Sequence, residues 1–263
     1  MTKSFGRWLL WVLLAGLALQ LFFVLRIALM VVVDPQSTAF MRSEAWRVAG
    51  QSITQADKSW RWSSQWVDYA EISPHLKRAV MASEDAGFVE HGGVDWDAIQ
   101  SAWSKNERRQ ELVEKRTEQL EKRLAKKPEA VEAAIKAIKP PKILGGSTIT
   151  QQLAKNLLLS GERNLLRKGQ ELMLTLTLEA LLSKERILEI YLNSVEWGEG
   201  VFGAEAAAQR YFKKPAAKLS PHEAARLAVM LPSPKFFETR PGSAYLARRT
   251  STIVARMGDV QAP

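Results

Sequence analysis

The sequence contains no cysteine and only three histidines among 263 residues. The absence of cysteine excludes disulfide bonds, thiolate metal ligands and thiol catalysis. His91, followed by Asp95 and Asp97, has the residue types of a metal site, but His75 and His222 lie far from it in the sequence, which favours a structural role. The G-x-x-x-x-G-K-[ST] phosphate-binding pattern is also absent, as are internal repeats and low-complexity tracts.

Basic residues are in excess. Lys and Arg number 37 against 28 Asp and Glu, which gives a formal net charge of +9. Nucleic acid, anionic lipid and phosphorylated substrates all suit such a chain, so charge alone does not choose among them. The length and the 46% hydrophobic content allow one large domain or two small ones.

A long apolar run lies near the N-terminus. WLLWVLLAGLALQLFFVL, from Trp8 to Leu25, would form a helix of about 27 Å, close to the thickness of a bilayer's hydrocarbon core. It is longer than a signal-peptide core and no small-x-small cleavage site follows it, so it predicts an uncleaved anchor over residues 8–33. Arg26, which costs about 2.5–3.5 kcal/mol at mid-bilayer, is expected to extend toward the interface.

The charges around this run indicate its orientation. Lys3 and Arg7 precede it, so the positive-inside rule places the N-terminus in the cytoplasm and everything after residue 34 across the membrane. Arg42 and Arg47, beyond the run, weaken this assignment. A basic domain on that side of the membrane excludes nucleic acid as a partner.

Beyond the anchor, the patterns predict an all-α protein. Residues 1–7 are a tail, 34–65 a connector, 66–256 the main domain and 257–263 a second tail. Ser73 followed by Pro74 is typical of a helix start. The connector and the domain edge are rich in tryptophan, which indicates either buried anchors or an interfacial aromatic belt: Trp46, Trp60, Trp62 and Trp66.

Residues 104–142 form a highly charged insertion in that domain. Glu111–Lys115 and Glu118–Lys122 have the i,i+4 spacing of helix-stabilising ion pairs. Pro128 divides the segment and Pro140-Pro141 ends it. We therefore predict a pair of solvated helices, with an arm that binds lipid or a partner as the alternative.

Three clusters carry residues suited to chemistry. Glu84 follows small and apolar residues, so burial could raise its pKa toward that of a general base, although Glu84-Asp85 alone is typical of surface charge. GGSTITQQLAKN (145–156) predicts a helix capped by Ser147 or Thr148. ERNLLRKGQE (162–171) combines cations with an acid, as an ordinary helical ion pair or a phosphate clamp would.

Together, EDAGF-x-x-H-x-G, GGSTITQQLAKN, RKGQE and RILEIYLNSVEWGEGVFGAEAAAQRYF resemble the successive motifs of glycosyltransferase family 51, the peptidoglycan glycosyltransferases. The resemblance covers about residues 66–256 apart from the insertion. It implies an all-α, lysozyme-like domain behind a single transmembrane helix. With 263 residues, we expect a monofunctional member without a transpeptidase domain.

The resemblance also implies roles for individual residues. Glu84 matches the base that deprotonates the acceptor sugar, and Glu171 matches a second carboxylate near the donor diphosphate. The remaining matched positions are substrate-binding or line the cleft: Lys155, Arg163, Arg167, Lys168, Ser147, Thr148, Gln151, Gln152, Asn156, Asp85, His91 and Asn193, with Phe88, Tyr191 and Gly198 shaping the cleft.

The implied reaction polymerises lipid II into β-1,4-linked glycan strands by inverting transfer, with release of undecaprenyl diphosphate. The implied partners are lipid II, the growing glycan strand, inner-membrane lipids and other cell-wall synthesis or division proteins. No tightly bound cofactor is expected, and a divalent cation (Mg²⁺ or Mn²⁺) at the substrate diphosphate is left open. Two alternatives are a lysozyme-like lytic enzyme and a non-catalytic wall-synthesis scaffold.

Overall fold

The computed structural model describes residues 2–54, 61–124, 134, 136, 138, 145–159 and 164–263. Over these residues the structure is mostly helical, which confirms the all-α prediction. The chain divides into two compact units. One comprises Met1–Val94 with Thr148–Pro263, and the other is Asp95–Ser147.

The first helix, α1 (Thr2–Leu29), covers residues 8–29 of the predicted anchor, and residues 30–33 lie beyond its end. Its stretch Ser4–Leu29 has 26 residues and a mean hydropathy of 2.3, long and apolar enough to cross a membrane. Most of its large apolar side chains are exposed, for example Trp11 and Leu17 at 67% each. Such a surface suits lipid better than water.

A second helix, α2 (Ala39–Thr54), occupies part of the connector, where sequence periodicity predicts none. Its buried hydrophobic contacts come from Met41 and Val48, seven residues apart on one face. With only these two side chains in the described core, the helix depends on tertiary packing more than on a local pattern.

Further helices follow in chain order: α3 (Pro74–Glu84), α4 (Trp96–Leu124), α5 (Ile149–Leu158), α6 (Leu165–Leu181), α7 (Lys184–Ser194), α8 (Ala204–Phe212), α9 (Pro221–Met230), α10 (Pro234–Glu238) and α11 (Ala244–Arg256). Short 3-10 helices occupy Tyr69–Glu71, Ala216–Lys218 and Met257–Asp259.

Local caps begin the helices that carry the site. Ser73 caps α3 by accepting a hydrogen bond from the His75 amide (3.2 Å), with Pro74 at the first helical position. Of the two predicted caps for α5, Thr148 is the one observed. Its hydroxyl accepts from the Gln151 amide (3.2 Å), and the Gln151 side chain accepts from the Thr148 amide (3.1 Å). This reciprocal capping box satisfies two otherwise unpaired helix-start donors.

The core of the larger unit is built from two groups of helices. In one, α3, α9 and α11 pack against one another, and in the other α5 packs against α6 and α7. Leu153 and Leu157 on α5 and Leu174 and Leu178 on α6 are almost completely buried. Their i,i+4 spacing places each pair on one face, which the sequence pattern predicts.

A three-stranded sheet interrupts the helical pattern. β1 (Ser63–Ser64) pairs parallel to β3 (Val201–Phe202), which pairs antiparallel to β2 (Glu196–Gly198) through a bulge. At Gly200 φ is +69°, and a Cβ there would lie 2.1 Å from the Arg61 carbonyl oxygen. Strands of two or three residues are too short for an alternating pattern, so the sequence does not predict them.

The smaller unit contains α4, which begins at Trp96, eight residues before the predicted insertion. Its hydrogen bonds run along its own surface, such as Trp103 Nε1 to Glu107 (2.6 Å) and Gln110 to Glu114 (3.2 Å). Pro128 and Pro140-Pro141, where we predict the helical pair to be split and ended, lie outside the described residues.

Candidate active site

Glu84, the predicted base, is the last residue of α3 and is half-buried. Gln152 on α5 donates a hydrogen bond from Nε2 to Glu84 Oε2 (3.2 Å). The Ser83 hydroxyl donates to Oε1 (3.4 Å). The Glu84 carboxylate therefore sits at the junction of two helices with a donor on each oxygen.

Burial raises the pKa of Glu84 above the ordinary value for a glutamate. The hydrogen bonds from Gln152 and Ser83 and the positive charge of Arg249 oppose this rise, while the charge of Asp85 adds to it. Desolvation dominates because a carboxylate loses more hydration than these contacts replace. A carboxylate with a raised pKa is a stronger base than a solvated one.

Tyr191 controls the orientation of Gln152. Its hydroxyl donates to Gln152 Oε1 (2.9 Å). The side chain is fully buried, and burial raises the pKa of Tyr191 well above its ordinary value, so the phenol stays protonated and acts as the donor. With Oε1 taken by Tyr191, the Gln152 amide must present its NH₂ group to Glu84.

Asp85 has a different environment from its neighbour. It is buried, and Oδ2 accepts from the Ile149 amide at the start of α5 (2.9 Å), while Oδ1 pairs with His91 Nε2 (2.9 Å). Burial raises the pKa of Asp85 although both hydrogen bonds oppose the rise. The Gly93 amide donates to His91 Nδ1 (3.2 Å), so the proton of the neutral ring lies on Nε2 and points to Asp85. Asp85 and His91 thus position the loop that directly follows α3, residues 85–94.

The same loop is held from two further sides. The Thr148 hydroxyl donates to the Gly93 carbonyl oxygen (2.6 Å). Lys184 on α7 donates to the His91 carbonyl oxygen (2.6 Å), and its ammonium lies 4.5 Å from the centre of the Phe88 ring. These contacts fix the backbone that follows Glu84.

The second predicted acid, Glu171, lies on α6 with only 5% of its side chain exposed. Arg167 Nη1 contacts one oxygen (3.0 Å) and the Lys168 ammonium contacts the other. Both cations lie about one helical turn before Glu171 on the same helix, and 55% of the Lys168 side chain is exposed. The predicted cation Arg163 lies outside the described residues.

The remaining predicted site residues of 145–156 fall into two groups, one on the outer side of α5 and one at its buried start. Gln152 and Asn156 are half-buried and Lys155 is exposed, so these three, at helical spacing, share one side of α5. Thr148 and Gln151 are buried and form the cap described above. Ser147 is exposed and belongs to the smaller unit. The side of α5 that touches Glu84 therefore also carries a cation.

Asn193 is buried on α7, and its side chain pairs with the backbone of Val67. The Val67 amide donates to Oδ1 (3.0 Å), and Nδ2 donates to the Val67 carbonyl oxygen (2.9 Å). Nδ2 also contacts the Glu189 carbonyl oxygen (3.0 Å). These bonds give Asn193 a scaffold position, and its predicted contact with substrate stays a prediction.

Arg249 on α11 is a site residue that sequence reasoning missed. It is half-buried, and its positive charge lowers the pKa of Glu84 from a distant part of the chain. The local sequence LARRTSTIVARM reads as a basic amphipathic helix, so it contains no signal that separates Arg249 from Arg248. Only the packing of α11 on α3 brings this residue toward Glu84.

The fold and the site are those of a helical group-transfer enzyme behind an apolar N-terminal helix. A buried carboxylate of raised pKa is suited to accept a proton, and cations near a second acid are suited to a departing anion. The comparisons with known proteins specify the class. The transglycosylase family matches residues 49–125 and 125–258.

Similar proteins extend over nearly the whole chain. A biosynthetic peptidoglycan transglycosylase of Burkholderia thailandensis is 48% identical over 265 residues, covering 99% of this chain and 90% of that protein. Proteins of the same name from Burkholderia pseudomallei and Paraburkholderia xenovorans are each 47% identical, covering 99% and 98% of this chain and 90% and 94% of those proteins. The chain belongs to the transglycosylase family, and it is a glycosyltransferase.

Proposed function

We propose that this chain polymerises lipid II into β-1,4-linked glycan strands for the bacterial cell wall, inverting the anomeric carbon and releasing undecaprenyl diphosphate. The observation that carries the proposal is the Glu84 carboxylate, whose pKa is raised by burial and which Gln152 holds in place. The names of the similar proteins indicate that the polymer is peptidoglycan. We assign the catalytic domain to residues 66–256, with the charged insertion at 104–142.

Glu84 is the base in this proposal. An alcohol is a poor nucleophile until its proton is removed, so the acceptor's C4 hydroxyl passes its proton to the Glu84 carboxylate as its oxygen bonds to the donor's anomeric carbon. The hydrogen bond from Gln152 Nε2 keeps the Glu84 carboxylate oriented, and the hydroxyl of the protonated Tyr191 keeps Gln152 oriented. Tyr191 is therefore a positioning residue, one step removed from the reacting atoms.

The cations assist the other half of the reaction. As the new bond forms, the bond between the anomeric carbon and the diphosphate oxygen breaks, and its electron pair leaves with the diphosphate. This leaving group needs charge stabilisation more than a proton, which Lys155, Arg167 and Lys168 can supply. Glu171, paired with the last two, holds their side chains in place. Attack on the face opposite the diphosphate inverts the anomeric carbon.

A protein-held divalent cation does not fit at Glu171. Glu171, the carboxylate beside the cations, has one oxygen paired with Arg167 and the other with Lys168. A metal ion there would have to displace both and would meet their repulsion. We propose that any Mg²⁺ or Mn²⁺ arrives bound to the substrate diphosphate, and no step above depends on it.

The location of the chain follows from its first helix. The apolar α1 supports an anchor in the bacterial inner membrane, where both lipid-linked substrates reside. Lys3 and Arg7 support a cytoplasmic N-terminus and a periplasmic catalytic domain. Proteins of cell-wall synthesis or division are proposed partners on that side.

The test compares the full-length chain with two glutamate-to-glutamine variants, each in vesicles with lipid II. Glu84→Gln removes the proposed base and keeps the size of the side chain. Glu90→Gln makes the same change at an exposed position in the following loop. We expect polymer from the unmodified chain and from Glu90→Gln, and none from Glu84→Gln.

Other outcomes would contradict the proposal. Equal polymerisation by Glu84→Gln would rule out Glu84 as the base. Release of fragments from finished peptidoglycan, without polymer, would indicate a lytic enzyme. Neither activity from a correctly folded chain would indicate a scaffold.

A further inference from the structure

Helix α4 in the smaller unit carries two tryptophans that are largely exposed to water. Trp96 and Trp103 are exposed by 70% and 67%, although an indole ring is among the largest apolar surfaces that a protein can bury. The half-buried side chains of α4 lie about a quarter turn away from them: Ile99, Ala102, Asn106, Val113, Thr117 and Leu120. The two rings therefore do not belong to the side of α4 that packs.

The two rings follow one another along one side of the helix. They are seven residues apart, which is about 10.5 Å of helix and about 20° short of two full turns. The Trp103 ring is held at its edge, because its Nε1 donates a hydrogen bond to Glu107 Oε1 (2.6 Å). A ring that is held at its edge keeps its flat faces available to a ligand.

Amide and carboxylate side chains alternate with the two rings. Four exposed residues lie within about 40° of Trp96 around the helix axis: Gln100, Glu107, Gln110 and Glu114. Together with the two tryptophans, we call these residues the α4 stripe. Amides supply donors and acceptors and carboxylates supply acceptors, which are the groups that hydrogen-bond the hydroxyl and N-acetyl groups of amino sugars.

The charges of α4 are nearly balanced. Trp96–Leu124 contains seven Lys and Arg and six Asp and Glu, so the excess positive charge of the chain is not concentrated on this helix. Such a balance does not favour nucleic acid or an anionic bilayer, which attract helices with a basic side. The row beside the stripe is mixed as well, because Arg108, Lys115 and Lys122 alternate there with Glu111 and Glu118.

From these observations we propose that the α4 stripe binds the β-1,4-linked amino-sugar strand that this chain makes, an inference that rests on the proposed function. The C–H groups on the face of a sugar ring stack on the negative face of an indole ring. Successive sugars of a β-1,4 chain are turned over, so every second sugar presents the same face, and this disaccharide step is close to the spacing of Trp96 and Trp103. The peptide on every second sugar bears both carboxylate and amino groups, which the mixed row complements.

Strand capture tests the proposal without turnover. The full-length chain in phosphatidylcholine vesicles is mixed with fluorescent, uncrosslinked peptidoglycan strands, and the strands that float with the vesicles are measured. Trp96→Ala combined with Trp103→Ala removes both rings, whereas Leu112→Ala, the matched control, removes a 66% exposed apolar side chain from another side of α4. We expect capture to fall severalfold in the double alanine variant only. The corresponding double phenylalanine variant keeps two flat rings and should retain most of the capture.

Two outcomes would overturn the proposal. Equal capture by the unmodified chain and the double alanine variant would show that the rings do not bind the strand. Vesicles with brominated acyl chains provide the second test. If the unmodified chain loses more tryptophan emission in them than the double alanine variant does, Trp96 and Trp103 contact acyl chains and the stripe belongs to the membrane.

Polymerisation of lipid II tests whether the bound strand is the chain's own product. A surface that holds the growing strand favours further additions, so the double alanine variant should make shorter strands than the unmodified chain and Leu112→Ala. Equal lengths despite weaker capture would assign the stripe to strands from another source and contradict the proposal. No polymer from the unmodified chain would instead contradict the proposed function, and the capture result would still decide whether the stripe binds strands.

Discussion

The loop that directly follows α3, residues 85–94, offers a sharp test of the site, because it contains two adjacent glycines in contrasting environments. Gly93 has φ +89°, and a Cβ there would lie 2.7 Å from Thr175 Cγ2 and 2.8 Å from Glu179 Cγ, both on α6. A Cβ at Gly92 would meet nothing within 4 Å. Gly93→Ala and Gly92→Ala therefore make the same chemical change with and without a clash.

The expected cost for Gly93→Ala has two parts. An alanine in the left-handed region costs about 1–2 kcal/mol. Forcing a methyl group against the packed side chains of α6 costs about 1–3 kcal/mol. The free energy of unfolding should therefore fall by about 2–5 kcal/mol. Gly92→Ala should change it by less than about 0.5 kcal/mol, as surface substitutions usually do.

The same change should reduce activity. Gly93 accepts from Thr148 through its carbonyl and donates to His91 through its amide, so moving its backbone disturbs the loop that follows Glu84. A displacement of about 1 Å near a base can cost about 100-fold in rate. Denaturant unfolding at fixed detergent and a lipid II polymerisation assay measure the two effects. A Gly93→Ala variant as stable and active as Gly92→Ala would refute the reasoning.

Arg249→Met removes a charge that lowers the pKa of Glu84, so the acidic limb of the pH–rate profile should move to higher pH, and to a lesser extent in Arg249→Lys; an unmoved limb would exclude this electrostatic role. Tyr191→Phe removes the donor to Gln152, worth about 1 kcal/mol, so kcat should fall about fivefold with little change in KM, whereas a purely structural role would lower only the stability. Burial raises the pKa of Glu196 from 4.5 to about 7, so protonated Glu196 stabilises the folded chain fully below about pH 4.5, and this stabilisation is lost as the pH rises through about 7. At about 1.4 kcal/mol per pH unit, the loss in the free energy of unfolding is about 3 kcal/mol. This pH dependence should disappear in Glu196→Gln when unfolding is measured as a function of pH.

The contrast between Glu84 and Asp85 shows why the site could be only partly predicted. As neighbours in the sequence the two acids are equivalent, and the resemblance alone distinguishes them. In the structure, Asp85 binds the start of α5 and His91, while Glu84 receives a side-chain donor from α5. Their different partners come from the direction in which each side chain leaves the end of α3, and no local pattern encodes that direction.

Residue type and spacing are sufficient to predict the features that arise from interactions among near neighbours. The apolar run of α1, the Ser73-Pro74 start of α3 and the Arg167–Glu171 pair all involve near neighbours in the sequence, so spacing and residue type are sufficient to predict them. For α5, the sequence predicts a cap at Ser147 or Thr148, and the structure shows that it is Thr148. The resemblance of four motifs, in order, then indicated the family.

Contacts that join distant segments could not be predicted from the sequence and are seen first in the folded structure. Tyr191 and Gln152 are 39 positions apart, Gln152 and Glu84 are 68 apart, and Gln20 and Gln170 are 150 apart. Such contacts depend on how several helices pack at once, because each helix can present a polar residue to many possible partners. The two-residue strands, the helix α2 and the approach of Arg249 to Glu84 depend on the same packing.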